Sequence, residues 1–395
     1  MIMDRFGDKV CCNPTVKLKK QESYPVIDID KITPGYKTVR SVESIKYTGQ
    51  GGAKFQDHDV LFARITPCLE NGKMAIADTE GQDGIGSTEL FVFRGIDGVS
   101  DTDYVYYLLC MKHIRQLAAN SMTGASGRQR ADLDFIKRIQ WDFPDIETQK
   151  KIATILSAYD NLIEVNNKKI KVLEQMAENL YKEWFVRFRF PGHETAEFEN
   201  GIPKGWEYCT VELLSDVCQR GISPDYDDAG ALTVISQKCI RQNIMDINEA
   251  RKHTRAFKPE LNLVDGDTVI CSTGTGTLGR VGQVYGDYPD TTFDSHVTLV
   301  RAKTGIGKHF LYRTLKEMQP WFMNMGIGST NQQELYRGII KNAKVIKPDE
   351  RLMACFEHMI EPIHGSIISL NSGKANLVRQ RDMILPRLMS GKLEV

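Results

Sequence analysis

A chain of 395 residues, 26% charged and 41% hydrophobic, has the balance of a water-soluble globular protein and the length for about two or three domains. With 51 Lys plus Arg against 51 Asp plus Glu, the zero formal net charge excludes a wholly basic nucleic-acid coat, although local basic surfaces remain open. Nine cysteines without a C-x-x-C pair exclude a zinc ribbon and a thioredoxin-type site, and MIMDRFGDKV at the amino terminus has no apolar signal core, so reduced thiols in a cytoplasmic protein are expected.

The first elements are short runs rich in Val, Ile, Thr and Phe, punctuated by Gly and Asp. Residues 24–29, 60–65 and 90–94 read as strands, and a helix is expected over 103–119. Together they predict a globular domain over 1–143. The next segment, 144–190, opens with Pro144, places Asp145 and Glu147 in its first turn, and has no further Gly or Pro until Pro191. Ile152, Ile155, Tyr159, Leu162, Asn166, Lys169, Leu173, Met176 and Leu180 step by threes and fours, the heptad spacing of a helix that faces a partner helix. A neighbouring row, Leu156, Ile163, Ile170, Ala177 and Trp184, widens the apolar face. About forty residues of helix reach roughly 60 Å at 1.5 Å per residue. Asn166, polar within the stripe, reads as a register-setting residue.

The turn-rich FENGIPKGWEYCTVELLSDV, 198–217, leads into a second domain over 191–345. Strands are expected there at 233–236, 268–272 and 297–301, and a helix at 308–318. A second helical segment, 346–395, closes the chain. Met353, Phe356, Ile360, Ile363, Ile367, Leu370, Leu377, Ile384 and Leu388 again step by threes and fours, with Lys374 and Arg381 in the polar gaps. Pro362 and Pro386 fall inside this run and are expected to kink or break it.

Both helical segments begin Pro-Asp, at 144–145 and 348–349, and that coincidence prompts a search for a repeat. Val10-Cys11 recurs as Val217-Cys218, and Val26-Ile27 as Val234-Ile235. Asp59 recurs as Asp267, each just before an apolar run, and Ser87 recurs as Ser295. Asp132-Leu133 recurs as Glu334-Leu335. The order and near-constant offset describe two copies of one unit, a mixed domain followed by a long helix. The fold class expected is α+β, with two pseudo-repeated mixed domains separated by two long coiled-coil helices.

Chemical motifs are sparse. Gly274, Gly276 and Gly279 spell G-x-G-x-x-G after an apolar run, with Asp294 downstream, as in a dinucleotide site. That site requires the glycine turn to feed a helix. Here Arg280-Val281-Gly282-Gln283-Val284 alternates as a strand returning from a hairpin, and the first copy has only Asn71-Gly72-Lys73 at the equivalent place. No phosphate loop, H-E-x-x-H pair or N-P-P-[FY] tetrapeptide occurs. Asp57-His58-Asp59 reads as a solvated turn rather than a metal site. No catalytic set, no metal site and no cofactor held by this chain are expected.

Two loops carry a constellation suited to binding. In the first copy, MTGASGRQRADL supplies Arg128, Gln129 and Arg130; in the second, MGIGSTNQQEL supplies Ser329, Thr330, Asn331 and Gln332. The glycine hairpin adds Ser272, Thr273, Thr275, Thr277 and Arg280, and its counterpart offers Arg64, Asn71 and Lys73. Glycines that permit close approach, beside Arg, Asn, Gln, Ser and Thr, are what base edges and phosphates are read with. Ordinary polar loops are the bland alternative for any one of these residues; the equivalence of the loops across the repeat favours function.

The first helix opening FPDIETQKKIATILSAYDNLIEVNNKKI, the lead IPKGWEYCTVELLSDVC and the closing RQRDMILPRLMSGKLEV resemble the DNA-specificity subunit of type I restriction–modification enzymes. The chain departs from that pattern where DRFGDKVC enters without a Pro-x-Gly-Trp lead and where Pro362 interrupts the second helix. The resemblance implies that each domain reads one half of a split DNA sequence and that the helices pack antiparallel as a spacer. It implies docking of two methyltransferase subunits, which hold S-adenosylmethionine and methylate adenine, and of motor–endonuclease subunits. Ile155, Tyr159, Leu162, Ile163, Ile170, Leu173, Ile360, Ile363, Ile367, Leu370 and Leu377 are the expected helix and partner interface. A coiled-coil scaffold that binds only protein, and a nucleotide-dependent oxidoreductase, are the competing readings.

Overall fold

The computed structural model describes residues 3–125, 127–241, 243–328 and 333–395. It divides into two compact units, one of residues 1–167 with 373–395 and the other of 168–372. Each holds one mixed domain and a stretch of each of two long helices.

In the first unit, strands β1 (Val10–Cys12), β2 (Ser23–Ile27), β3 (Thr38–Arg40), β4 (Ser44–Lys46), β5 (Ala53–Phe55), β6 (Val60–Ala63), β7 (Met74–Asp78), β8 (Gly84–Gly86) and β9 (Leu90–Gly95) form two sheets. The larger has the order β1-β9-β6-β7-β3 and the smaller β4-β2-β8-β5. All four residues of β6 are buried, as a continuous apolar run in a central strand requires. The helix expected over 103–119 is two, α1 (Thr102–Cys110) and α2 (Lys112–Asn120). Met111 between them is extended, at φ −59° and ψ 126°, which resets the phase and lets Ile114 and Ala118 join Val105 and Leu109 in one core. A short α3 (Leu133–Lys137) follows, and then α4 (Ile146–Tyr181), the first long helix.

The second unit repeats the plan. Its strands are β10 (Ser215–Arg220), β11 (Leu232–Ile235), β12 (Ile240–Arg241), β13 (Ile244–Met245), β14 (Arg251–His253), β15 (Thr268–Cys271), β16 (Val281–Gln283), β17 (Thr291–Phe293) and β18 (Val297–Ala302). The larger sheet runs β10-β18-β15-β16-β13-β12 and the smaller β14-β11-β17. The parallel pairs fall in the same places, β3 with β7 as β13 with β16, and β2 with β8 as β11 with β17. Helices α5 (Lys308–Glu317), α6 (Gln319–Asn324) and α7 (Arg337–Asn342) precede the second long helix, α8 (Glu350–Met389).

The same ion pair holds both domains. Arg94 donates to both oxygens of Asp59 at 2.6 and 2.7 Å, and Arg301 to both of Asp267 at 2.7 Å. Each Asp also accepts the backbone N–H three residues before it, from Gln56 and from Val264. Asp59 is thus buried and paired, not part of a solvated turn; its neighbour His58 pairs with Asp103 at 3.3 Å, and Asp57 accepts from the backbone of Thr79 and Gly81.

The Pro-Asp pairs are helix caps. Asp145 accepts from Thr148 N at 3.0 Å and Asp349 from Leu352 N at 2.9 Å. Helix α8 then runs unbroken through Pro362 and Pro386, contrary to the expected interruption. Both prolines are on its exposed side, where a carbonyl that loses its helical partner meets water.

The helices are antiparallel within each unit. In the first, Ile152, Ala153 and Leu156 share a core with Leu385, Leu388 and Met389. In the second, Tyr181, Trp184 and Phe185 pack with Met353, Phe356 and Ile360, while Ile170 and Leu173 meet Ile363, Ile367 and Leu370. The buried row is Leu156, Ile163, Ile170, Ala177 and Trp184, the one read from sequence as secondary. Ile155, Leu162 and Met176 are exposed, so Ile155 and Leu162 leave the helix seam; Tyr159 and Leu377 are half-buried. Asn166 is half-buried opposite Gly373 of the other helix, where an added Cβ would lie 3.8 Å from its amide nitrogen.

Polar anchors fasten each domain to the helices. Asp160 on α4 accepts from Arg381 on α8 and from the Tyr107 hydroxyl, both at 2.5 Å. In the second unit Arg313 pairs with Glu174 at 2.9 Å, and Glu178 receives Lys182 and Lys316. Burial alone would raise the Glu178 pKa, but those two ammonium groups outweigh it and hold the carboxyl at about 2.

Candidate nucleic-acid interface

At the carboxyl end of its central strand each domain gathers three segments into a tip. In the first copy they are the turn after β6, the residue before β9, and the loop before α3. Arg64 N donates to Glu89 O and Ala131 N to Arg64 O, while Thr123 and Arg130 exchange backbone hydrogen bonds at 3.0 and 2.9 Å. In the second copy Ser272 N donates to His296 O, Leu335 N to Ser272 O, and Ile327 and Glu334 exchange bonds at 2.9 and 3.0 Å. The same backbone scaffold therefore carries different side chains, which is the arrangement a variable reader needs.

The glycine fingerprint is a hairpin turn. β15 and β16 are antiparallel, and Gly274, Gly276 and Gly279 all have positive φ. An added Cβ at Gly279 would lie 2.6 Å from Met323 N, so this glycine lets the turn lie against α6. No helix begins there to receive a pyrophosphate, and Asp294 is buried, accepting the backbone N–H of His296 at 2.9 Å.

Several predicted contacts are committed inside the protein. Ser272 is 0% exposed, its hydroxyl 2.6 Å from that of Thr298, so it supports the tip and does not reach outward. Arg64, at the equivalent position, is half-buried with its guanidinium 4.8 Å over the Phe91 ring. Lys73 donates to Ile29 O at 2.8 Å, and Thr277 donates to Thr273 O and Gly274 O. Arg130 is clamped by Glu89, with three hydrogen bonds of 2.6 to 3.1 Å; these bonds hold the Glu89 carboxyl below its ordinary pKa. Arg280 donates to Gly276 O. The residues left outward are Asn71, Arg128 and Thr275, with Gln129 half-buried. Ser329, Thr330, Asn331 and Gln332 lie outside the described residues.

Sequence reading missed Glu89, Gln237 and His296. Glu89 and His296 occupy one position of the repeat, immediately before β9 and β18, just past the Ser87 and Ser295 that mark it. Gln237 enters the tip from the end of β11, where Thr273 Oγ1 donates to its Oε1 at 3.3 Å. Gln333 lines a cleft of about 130 Å³ with Gly274, Thr275, Gly276, Leu278 and Met323. A larger concavity, about 580 Å³, lies by Asp265, Arg301 and Glu357. The first two are ion-paired and Glu357 caps α5, so these three are already committed to partners within the protein. Among the described residues no group of three His, Cys, Asp or Glu could hold a metal, and no helix is long and apolar enough to cross a membrane.

Two copies of one scaffold thus carry different tip side chains, each copy packed against two long helices. In comparison with known proteins, the chain is similar to DNA-specificity subunits of type I restriction–modification systems. Residues 11–175 match the type I restriction modification DNA specificity domain. The chain is 27% identical to the type I restriction enzyme MjaIX specificity subunit of Methanocaldococcus jannaschii, over 77% of this chain and 72% of that one. It is 24% identical to the MjaVIII specificity subunit of the same organism, over 99% and 92%. The crystal structure of a type I restriction–modification S subunit from M. genitalium shares the fold, with a TM-score of 0.52 at 15% identity, covering 98% of this chain and 95% of that one.

Proposed function

We propose that this chain is a specificity subunit that reads a two-part DNA sequence, one half-site per domain, and carries no catalysis of its own. The observation that bears the reading is the duplicated tip, whose two copies share four backbone hydrogen bonds and carry different side chains on them. A half-site of three or four base pairs recurs every ~64 to ~256 positions at random, too often to be selective. Joining two multiplies their selectivities, because engaging one raises the effective concentration of the other.

The helices dock two methyltransferase subunits, which bring S-adenosylmethionine, and motor–endonuclease subunits join for restriction. Support comes from the apolar residues that α4 leaves exposed, Ile155, Leu162 and Val165 in the first unit and Val172 and Met176 in the second. Such a row at helical spacing is a surface for another protein. The test is base-resolution methylation mapping of cells that hold type I methyltransferase subunits, with and without this chain. Methyl-adenine in a two-part motif of fixed gap, present only with the chain, is expected; identical methylation in both strains contradicts the reading and favours a protein-only scaffold.

A further inference from the structure

We infer that His296 reads a base in the second copy, and that it does so as a hydrogen-bond acceptor selecting a base amino group. The inference rests on the reading that the tips contact DNA, and adds the polarity of one contact. His296 is exposed and its backbone is fixed on both sides: its N–H donates to Asp294 Oδ1 at 2.9 Å and its carbonyl accepts from Ser272 N at 2.8 Å. Its ring Nδ1 lies 2.7 Å from Thr273 Oγ1.

The protons in this chain can be counted. A threonine hydroxyl has one, and Thr273 Oγ1 lies 3.3 Å from Gln237 Oε1 as well, so both contacts are hydrogen bonds only if that proton goes to Gln237. Toward His296 the oxygen can then only accept, so Nδ1 carries the imidazole hydrogen. That tautomer leaves Nε2 with its lone pair free to accept. In the major groove a lone pair meets the N6 amino group of adenine or the N4 amino group of cytosine favourably, and meets guanine O6 and N7 or thymine O4 unfavourably. Thr273 and Gln237 act here as positioning residues that set the tautomer.

The first copy offers no such acceptor at the same place. Glu89, the counterpart of His296, spends both oxygens on Arg130. One scaffold position thus presents a free acceptor in one copy and an ion pair closed on itself in the other.

The experiment maps adenine methylation in cells carrying the full chain with type I methyltransferase subunits, comparing wild type, His296→Ala, Thr273→Val and Thr273→Ser. His296→Ala is expected to relax one base position of one half-site, by roughly ten- to hundredfold in discrimination. Thr273→Val frees the tautomer and relaxes that same position, while Thr273→Ser keeps the hydroxyl and the wild-type motif. The other half-site persists throughout, which separates lost reading from lost folding. An unchanged motif in His296→Ala, or equal relaxation by Thr273→Ser and Thr273→Val, overturns the inference and leaves the two-part reading standing. A wild-type chain that directs no motif overturns that reading, and the inference with it.

Discussion

At the scale of single residues, the repeat extends to how each long helix grips its domain. Gln149 on α4 is fully buried, accepts from Asp101 N at 3.0 Å and donates to Val99 O and Pro144 O. On α8, one turn further from its Asp349 cap, Glu357 accepts from His309 N and Phe310 N at 3.2 and 2.8 Å, closing the amino end of α5, which has no side-chain cap of its own. Gly307 admits that carboxylate, since an added Cβ would lie 2.3 Å from Glu357 Oε1. Glu357→Ala should cost about 1–3 kcal/mol in chemical denaturation by leaving two backbone donors without a partner. Glu357→Gln should cost less, because one acceptor remains; equal losses would contradict the capping role. Acid sensitivity is built in nearby. His309 is 1% exposed, donates Nε2–H to Glu361 and accepts at Nδ1 from Gln283. Burial, and then the neighbouring His364, hold its pKa well below the ordinary 6.5. The unfolded chain therefore takes up the proton first, so stability is full above about pH 6.5 and is lost as the pH falls toward the lowered folded value. Denaturation at pH 7 and pH 5 should show a smaller drop for His309→Gln than for wild type, and an equal drop would contradict it. None of these roles was legible in the sequence, where Ser272 and Thr275 look equally polar and only the sheet around them decides that one is buried.

Among the elements, the long helices were the most legible, because heptad spacing and Pro-Asp starts are local signals. The inward row was not. Ile155 and Leu162 adjoin Leu156 and Ile163 one position on, both rows are apolar, and packing against the domain and the partner helix makes the choice. The distinction predicts opposite phenotypes. Ile163→Ala, in the seam at 5% exposed, should cost about 2–5 kcal/mol of stability. Leu162→Ala, at 52% exposed, should change stability by less than about 0.5 kcal/mol while weakening co-purification with methyltransferase subunits. Loss of folding in Leu162→Ala with none in Ile163→Ala would restore the sequence-based seam. The hairpin at 270–284 was read correctly from its alternation, whereas the break at Met111 was not, since α1 and α2 share a helical composition and only core packing requires the change of phase.

For the whole molecule, duplication carries the account. Weak matches at offsets near 208 correspond to matching strand orders, matching parallel pairs, the Asp59–Arg94 and Asp267–Arg301 pairs, and two tips built on the same bonds. What the sequence withheld was which tip side chains are spent internally, because Arg130 and Glu89 are 41 residues apart and meet only in the folded tip. Arg128 is exposed at that tip in the first copy. The most direct test of one domain reading one half-site is therefore to map methylation by wild type and Arg128→Ala in the same methyltransferase background. One half of the motif is expected to relax while the other half and the gap stay unchanged. Relaxation of both halves together, or an altered gap, would contradict that assignment.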